Sequence, residues 1–206
     1  MKVKICGMRS PGNLEQICAL SPDYVGFIFY PGSKRFVGTL PDPSLFHIPG
    51  PEIQKVGVFV NEAPASVLHT FETHQLHCVQ LHGDESPEYC RRLSHEGIPV
   101  IKALDARLSR DRLEEYRDQV SCFLFDTPGP GRGGTGQKFD WGLLQKIPAA
   151  VPFLLGGGIG PEDAGALLAL DHEGLRGVDV NSRFELSPGV KDVEKLQDFM
   201  SKLKTA

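Results

Sequence analysis

Short runs of β-branched and aromatic residues recur along the chain, at Val3–Cys6, Tyr24–Tyr30, Lys55–Val60, Cys78–Leu81, Val100–Ala103, Cys122–Asp126, Pro152–Gly156 and Gly177–Val180. They recur roughly every 20 to 30 residues, with helical patterns between them, which is the signature of a parallel α/β sheet. The predicted helices are Asn13–Leu20, Ala65–Thr73, Pro87–His95, Arg110–Gln119, Trp141–Lys146, Glu162–Leu170 and Val193–Lys204. The second gap, Pro41–Pro51, is rich in proline and supports at most a short or irregular helix. Eight such units predict α/β architecture as a single-domain (β/α)8 TIM barrel over residues 1–206. An open doubly wound sheet has the same alternation, because strand counting does not show closure.

Alternation within the runs assigns faces, since successive strand residues point to opposite sides. Val3 and Ile5 oppose Lys4 and Cys6; Val79 and Leu81 oppose Cys78, Gln80 and His82; Phe123 and Phe125 oppose Cys122, Leu124 and Asp126; Val178 and Val180 oppose Asp179 and Asn181. In the third run Val56, Val58 and Val60 share a face. The apolar set is expected to meet the helices and the other set to point into the barrel. The last polar members then lie at the C-terminal mouth, where barrel active sites are found.

Composition narrows the function classes. Lys+Arg 22 against Asp+Glu 26 leaves a net charge of -4, without the basic excess of a general nucleic-acid binder. An anionic ligand would be drawn by local basic residues rather than by the overall field. No apolar stretch approaches the ~18 residues of a membrane span, and the N-terminus lacks a signal-peptide h-region. The five cysteines are scattered with no CxxC pair, which speaks against zinc or a disulfide framework and for a reducing, cytoplasmic setting. His47, His69, His74 and His95 have no spacing that argues for metal.

Several residues could carry chemistry. Cys6 ends the first run before Gly7: a buried packing cysteine, or a thiolate base whose pKa Lys4 on the same face lowers. Asp126 ends the sixth run on the inward face: a turn or cap before Thr127-Pro128, or one half of an acid and base pair with Cys6. Pro128–Gln137 (PGPGRGGTGQ) reads as a glycine-rich loop, either a plain surface loop or one that closes over a ligand; it lacks the P-loop pattern. Gly156-Gly157-Gly158 and Asn181-Ser182 follow the seventh and eighth runs, the slots where barrels hold a phosphate, or where they make tight turns. Arg35 follows the second run, solvated or poised for a bidentate carboxylate contact. Gln80 and His82 end the fourth run, with interior hydrogen bonding as the simpler role.

Taken in order, Lys4–Gly7 (KICG), Gly26–Tyr30 (GFIFY), Val56–Val60 (VGVFV), Val79–Gly83 (VQLHG), Leu124–Thr127 (LFDT), Gly133–Gly136 (GGTG), Leu155–Gly158 (LGGG), Val178–Ser182 (VDVNS) and Pro188–Asp192 (PGVKD) resemble the phosphoribosylanthranilate isomerase family of tryptophan biosynthesis, essentially end to end. The resemblance implies an Amadori rearrangement of N-(5-phosphoribosyl)anthranilate to 1-(o-carboxyphenylamino)-1-deoxyribulose 5-phosphate. It implies Asp126 as general acid, with a raised pKa, and Cys6 as general base. It implies Arg35 on the anthranilate carboxylate and the phosphate on Gly157, Gly158, Asn181 and Ser182, with Gln80 also in the substrate site. No metal or organic cofactor is implied; the partner is a small phosphorylated substrate, not nucleic acid or membrane, and the chain is a monomer or homodimer. Two positions depart from the family pattern. Lys34 stands where the family often has proline, and Asn181-Ser182-Arg183-Phe184-Glu185 replaces the common Ser-Ser-Gly-Val-Glu, so that Arg183 offers a side chain to the phosphate. Two other readings remain: another phosphosugar isomerase, expected to carry aspartate rather than Cys6, and a non-catalytic phosphosugar-binding barrel.

Overall fold

The structure is a computed structural model, and it describes residues 1–107, 109–126 and 140–204. The Pro128–Gln137 loop, Thr127 and the Gly133–Gly136 motif lie outside the described residues. Strands β1 (Lys2–Cys6), β2 (Tyr24–Ile28), β3 (Gln54–Phe59), β4 (Cys78–Leu81), β5 (Val100–Asp105), β6 (Cys122–Asp126), β7 (Phe153–Leu155) and β8 (Leu175–Val180) pair in parallel in chain order. Closure comes from β1 against β8, in register from Lys2↔Gly177 to Ile5↔Val180. That pairing excludes the open sheet.

The helices are α1 (Pro11–Ala19), α2 (Ser44–His47), α3 (Pro64–Thr73), α4 (Pro87–His95), α5 (Arg110–Arg117), α6 (Ala164–Leu168) and α7 (Val193–Lys204). Proline opens α1, α3 and α4, where its missing N–H has no intrahelical partner to lose. Ser86 and Ser109 cap α4 and α5 by accepting from Tyr89 N and Arg112 N. Two helices differ from the sequence expectation. Trp141–Lys146 is a 3₁₀ helix, because Pro148 forces Ile147 to an extended ψ of 130° and leaves one short capped stretch after Asp140. The helix expected over Glu162–Leu170 is split into a 3₁₀ turn, Pro161–Asp163, and the short α6.

Two apolar layers hold the barrel. Val3, Ile5, Val79, Leu81, Phe123, Phe125, Val178 and Val180 pack against the helices, as the alternation predicts. Inside, Val56, Cys78, Ile101, Ala103, Leu124 and Leu154 fill the barrel floor. Val56 corrects the expectation for β3: its valine face points inward, and Val58 and Val60 continue up to the mouth. The outward face is Lys55, Gly57 and Phe59. Lys55 reaches that side because its Nζ donates to the carbonyls of Phe46 (2.9 Å) and His74 (3.4 Å), while Phe59 stacks on Phe29. A face of three valines suits either layer, so the valines alone do not reveal the side.

Beyond β8 the chain makes a 3₁₀ turn, Ser182–Phe184, then a small antiparallel hairpin, β9 (Glu185–Ser187) and β10 (Val190–Lys191). Asn13 of α1 grips β10: its side chain accepts from Lys191 N at 2.7 Å and donates to Lys191 O at 3.0 Å. The hairpin is thereby fixed beside the barrel mouth.

Candidate active site

The inward faces of β1 and β8 place Lys4 against Asp179, with Nζ 2.8 Å from Oδ1. Lys4 is fully buried, which by itself lowers its pKa; Asp179 and Cys6 together outweigh that and hold it up. Cys6 lies one inward step further along β1. Its neighbour in register on β2 is Gly26, where a Cβ would stand 2.9 Å from Cys6 Sγ and 3.3 Å from Lys4 Nζ. Only glycine leaves room there for both side chains. Burial pushes the Cys6 thiol above its ordinary 9.0, although Lys4 and Lys191 pull it down. Lys4 lowers the thiol pKa as its place on the same face implies, but the desolvation of a fully buried sulfur is the larger effect.

Opposite, β4 and β6 bring up Gln80, His82 and Asp126. The Gln80 amide meets His82 Nδ1 at 2.8 Å, and His82 Nε2 lies 3.3 Å from Asp126 Oδ2. With Gln80 donating to Nδ1, the histidine carries its proton on Nε2, facing the carboxyl. Gln80 Oε1 is buried with no hydrogen-bond partner. An unmatched acceptor of this kind is costly unless a ligand supplies the donor. Lys102 on β5 pairs with Glu85 at 2.8 Å, both buried, and Glu85 also accepts from Gly83 N, next to His82.

Arg35 crosses Gly7, whose φ of +81° and missing Cβ leave space for the arginine stem. Its Nε and Nη2 donate to Glu185 Oε1 and Oε2 at 2.8 and 2.6 Å. The hydrogen bonds to Glu185 raise the arginine pKa, and Glu185 sits below the usual carboxylate range because Arg35 and Lys191 outweigh its burial. Lys191 Nζ donates to Glu185 Oε1 (2.7 Å) and Asn181 Oδ1 (2.6 Å).

Gly157 and Gly158, with φ of +80° and +71°, form a wall with Asn181 and Ser182. Successive left-handed glycines turn backbone N–H groups toward the space beside them. Arg183 is not brought to this wall. It is half exposed and donates to Glu162 Oε1 at 2.8 Å.

All the predicted site residues except Arg183 line one cavity of about 370 Å³ at the C-terminal mouth, a volume suited to a small ligand. His82, Asp179, Tyr30 and Lys34 line it too. Parity could have found Asp179, since it shares the inward face with Asn181. The cavity brings together a thiol and a carboxyl able to transfer protons, an arginine, and a left-handed glycine pair whose backbone could serve an anion. Among the described residues no group of three metal-ligating side chains is assembled, and no helix is long and apolar enough to cross a membrane.

The family model for N-(5'-phosphoribosyl)anthranilate (PRA) isomerase matches residues 3–202. The chain is 42% identical to the N-(5'-phosphoribosyl)anthranilate isomerase of Parabacteroides distasonis over 206 residues, 98% of this chain and 93% of the relative. It superposes on phosphoribosylanthranilate isomerase from Thermus thermophilus with a TM-score of 0.87 at 31% identity, covering 100% of this chain and 99% of the other. A further similar structure is a phosphoribosylanthranilate isomerase in complex with reduced 1-(o-carboxyphenylamino)-1-deoxyribulose 5-phosphate. Its TM-score is 0.76 at 33% identity, with 100% of both chains covered.

Proposed function

The chain belongs to the N-(5'-phosphoribosyl)anthranilate isomerase family, an isomerase of tryptophan biosynthesis, and we propose that Asp126 and Cys6 carry its reaction as acid and base. The substrate is N-(5-phosphoribosyl)anthranilate and the product 1-(o-carboxyphenylamino)-1-deoxyribulose 5-phosphate. Asp126 gives its proton to the ribose ring oxygen. The C1–O bond breaks as the nitrogen lone pair forms a protonated Schiff base. The Cys6 thiolate removes the proton from C2, the C2–H electron pair forms the C1=C2 double bond as the C1=N π pair returns to nitrogen, and the enolamine tautomerises to the C2 ketone. The scheme calls for no metal or organic cofactor.

The observation that carries this reading is the meeting of Cys6 and Asp126, from opposite sides of the barrel, in one cavity. Burial keeps Cys6 a neutral thiol in the free enzyme at neutral pH. The cationic Schiff base changes that. A unit positive charge ~4 Å away is worth about 4 kcal/mol at an effective dielectric of about 20, or about three pKa units. The base is thus activated by the intermediate it acts upon, and its proton passes to the carboxylate that Asp126 has become. His82 orients the Asp126 carboxyl. Gln80 Oε1 takes a ribose hydroxyl as its missing donor.

Arg35 takes the anthranilate carboxylate. The phosphate lies on Gly157, Gly158, Asn181 and Ser182, which Arg183 joins by leaving Glu162. We further propose one catalytic unit over residues 1–206, acting as a monomer or homodimer in the cytoplasm; light scattering on the eluted protein reads the oligomeric state. The activity itself is tested by the fluorescence of freshly made phosphoribosylanthranilate, with the product identified by mass and absorbance. Rapid loss to the rearranged ketone supports the reading. Phosphosugar binding without turnover by folded protein points to a non-catalytic barrel.

A further inference from the structure

We propose that Glu185 is a positioning residue for substrate recognition, holding the Arg35 guanidinium so that its free edge faces the carboxylate of the substrate. The inference rests on the role given to Arg35 above and deepens it.

A guanidinium has two edges able to grip a carboxylate with two hydrogen bonds: Nε with one terminal nitrogen, or the two terminal nitrogens together. Glu185 occupies the first, taking Nε–H and one Nη2–H. Nη1 has no hydrogen-bond partner among the described residues, so the second edge, at the rim of the cavity, is open. Glu185 therefore leaves Arg35 able to bind a second carboxylate and fixes the plane in which it does so.

Glu185 is itself held firmly. Its Oε1 accepts from Gly189 N at 3.0 Å and from the buried Lys191 at 2.7 Å, and its side chain is 5% exposed. Gly189 belongs to the turn of the hairpin that Asn13 grips through Lys191. The anchor runs from α1 through β10 to Glu185 and then to Arg35. Lys191 also settles the charge. Arg35 with Glu185 alone would be formally neutral and a poor attractant for an anion; with Lys191 the trio carries a formal +1. Lys191 is fully buried, so the arginine is the part that meets the ligand. Immobilising a long side chain on binding is costly, and here most of that ordering precedes binding.

The test compares two ligands in the wild type, Arg35→Met, Glu185→Gln and Glu185→Asp. One is phosphoribosylanthranilate; the other is its decarboxylated analogue, made by condensing aniline with ribose 5-phosphate and read as substrate or competitive inhibitor. The expected result for Glu185→Gln is a KM for phosphoribosylanthranilate about tenfold higher, one hydrogen-bonded ion pair's worth. Its kcat should stay within about threefold and its affinity for the aniline analogue within about twofold. Glu185→Asp, which keeps the charge, should recover part of the loss; should the glutamine variant not fold, the aspartate variant is expected to show the same carboxylate-confined rise in KM.

Equal losses for both ligands would overturn the proposal by making Glu185 merely structural. A lower KM in Glu185→Gln would overturn it too, showing that Glu185 competes with substrate for Arg35. Failure of the underlying reading looks different: wild type would not turn over phosphoribosylanthranilate, or Arg35→Met would weaken both ligands alike.

Discussion

Replacing Lys4 by methionine keeps the volume of the side chain and removes the one cation among the described residues that forms an ion pair with Asp179. The pair is 2.8 Å long, with side-chain exposures of 0% and 11%. Breaking a buried ion pair costs about 3–5 kcal/mol because the surviving charge is left uncompensated. Asp179 has an escape, which is to become protonated. From an ordinary value of 3.8, doing so at pH 7 costs about 4 kcal/mol, and at pH 5 only about 1.6 kcal/mol. These figures are ceilings on the damage at each pH. Burial already raises the Asp179 pKa in the wild type despite Lys4, and without Lys4 it rises further, so the protonated form favours the fold at low pH, and stability falls as pH rises from the unfolded value through the folded one. Urea unfolding followed by far-UV circular dichroism at pH 5 and pH 7 should show Lys4→Met about 3 kcal/mol less stable than wild type at pH 7, and about 1.5 kcal/mol less at pH 5. Adding Asp179→Asn should recover more than half of the loss at pH 7. A deficit under about 1 kcal/mol at pH 7, or the same deficit at both pH values, would refute the reasoning.

Gly26→Ala would press a methyl 2.9 Å from Cys6 Sγ and 3.2 Å from Cys6 Cα, so the strand must shift. We expect about 2 kcal/mol of destabilisation, read as a Tm lower by roughly 4–8 °C, and a kcat/KM at least about tenfold lower from the displaced base. Because burial raises Cys6 above 9.0, alkylation of Cys6 by iodoacetamide in the free enzyme should keep accelerating with pH past 9; a rate that levels off below pH 8 would contradict that assignment. Arg183→Ala removes the guanidinium that leaves Glu162 for the phosphate and should raise KM by about fivefold to tenfold; a change under about twofold would leave Arg183 with Glu162 throughout.

Much of the fold was legible because the strands of this barrel alternate cleanly. Lys4 and Cys6 against Val3 and Ile5, or Leu124 and Asp126 against Phe123 and Phe125, give both the strand and its inward face. The valines of β3 defeated the same logic: nothing in Val56, Val58 and Val60 marks a side, and the choice is made by carbonyls of Phe46 and His74 that accept the Lys55 ammonium outside. Trp141–Lys146 looked helical by composition, but its end is dictated by Pro148.

At the site, residues at strand ends were found because position alone marks them. The interactions among them were not. Arg35 with Glu185 spans 150 positions and Lys4 with Asp179 spans 175, distances over which no local pattern operates. The rise in the Cys6 pKa was hidden for the same reason, since Lys4 is adjacent in the pattern while the desolvation that outweighs it comes from the whole barrel.

The central claim is that Cys6 and Asp126 do the chemistry, and the most direct measurement follows the fluorescence of phosphoribosylanthranilate under turnover by wild type, Cys6→Ser and Asp126→Asn in parallel. Rapid loss is expected with wild type and a kcat at least about 10²-fold lower in each variant, the usual scale of general acid or base catalysis, with both variants folded and KM within about tenfold. A variant turning over within about threefold of wild type would contradict the role assigned to the residue it lacks.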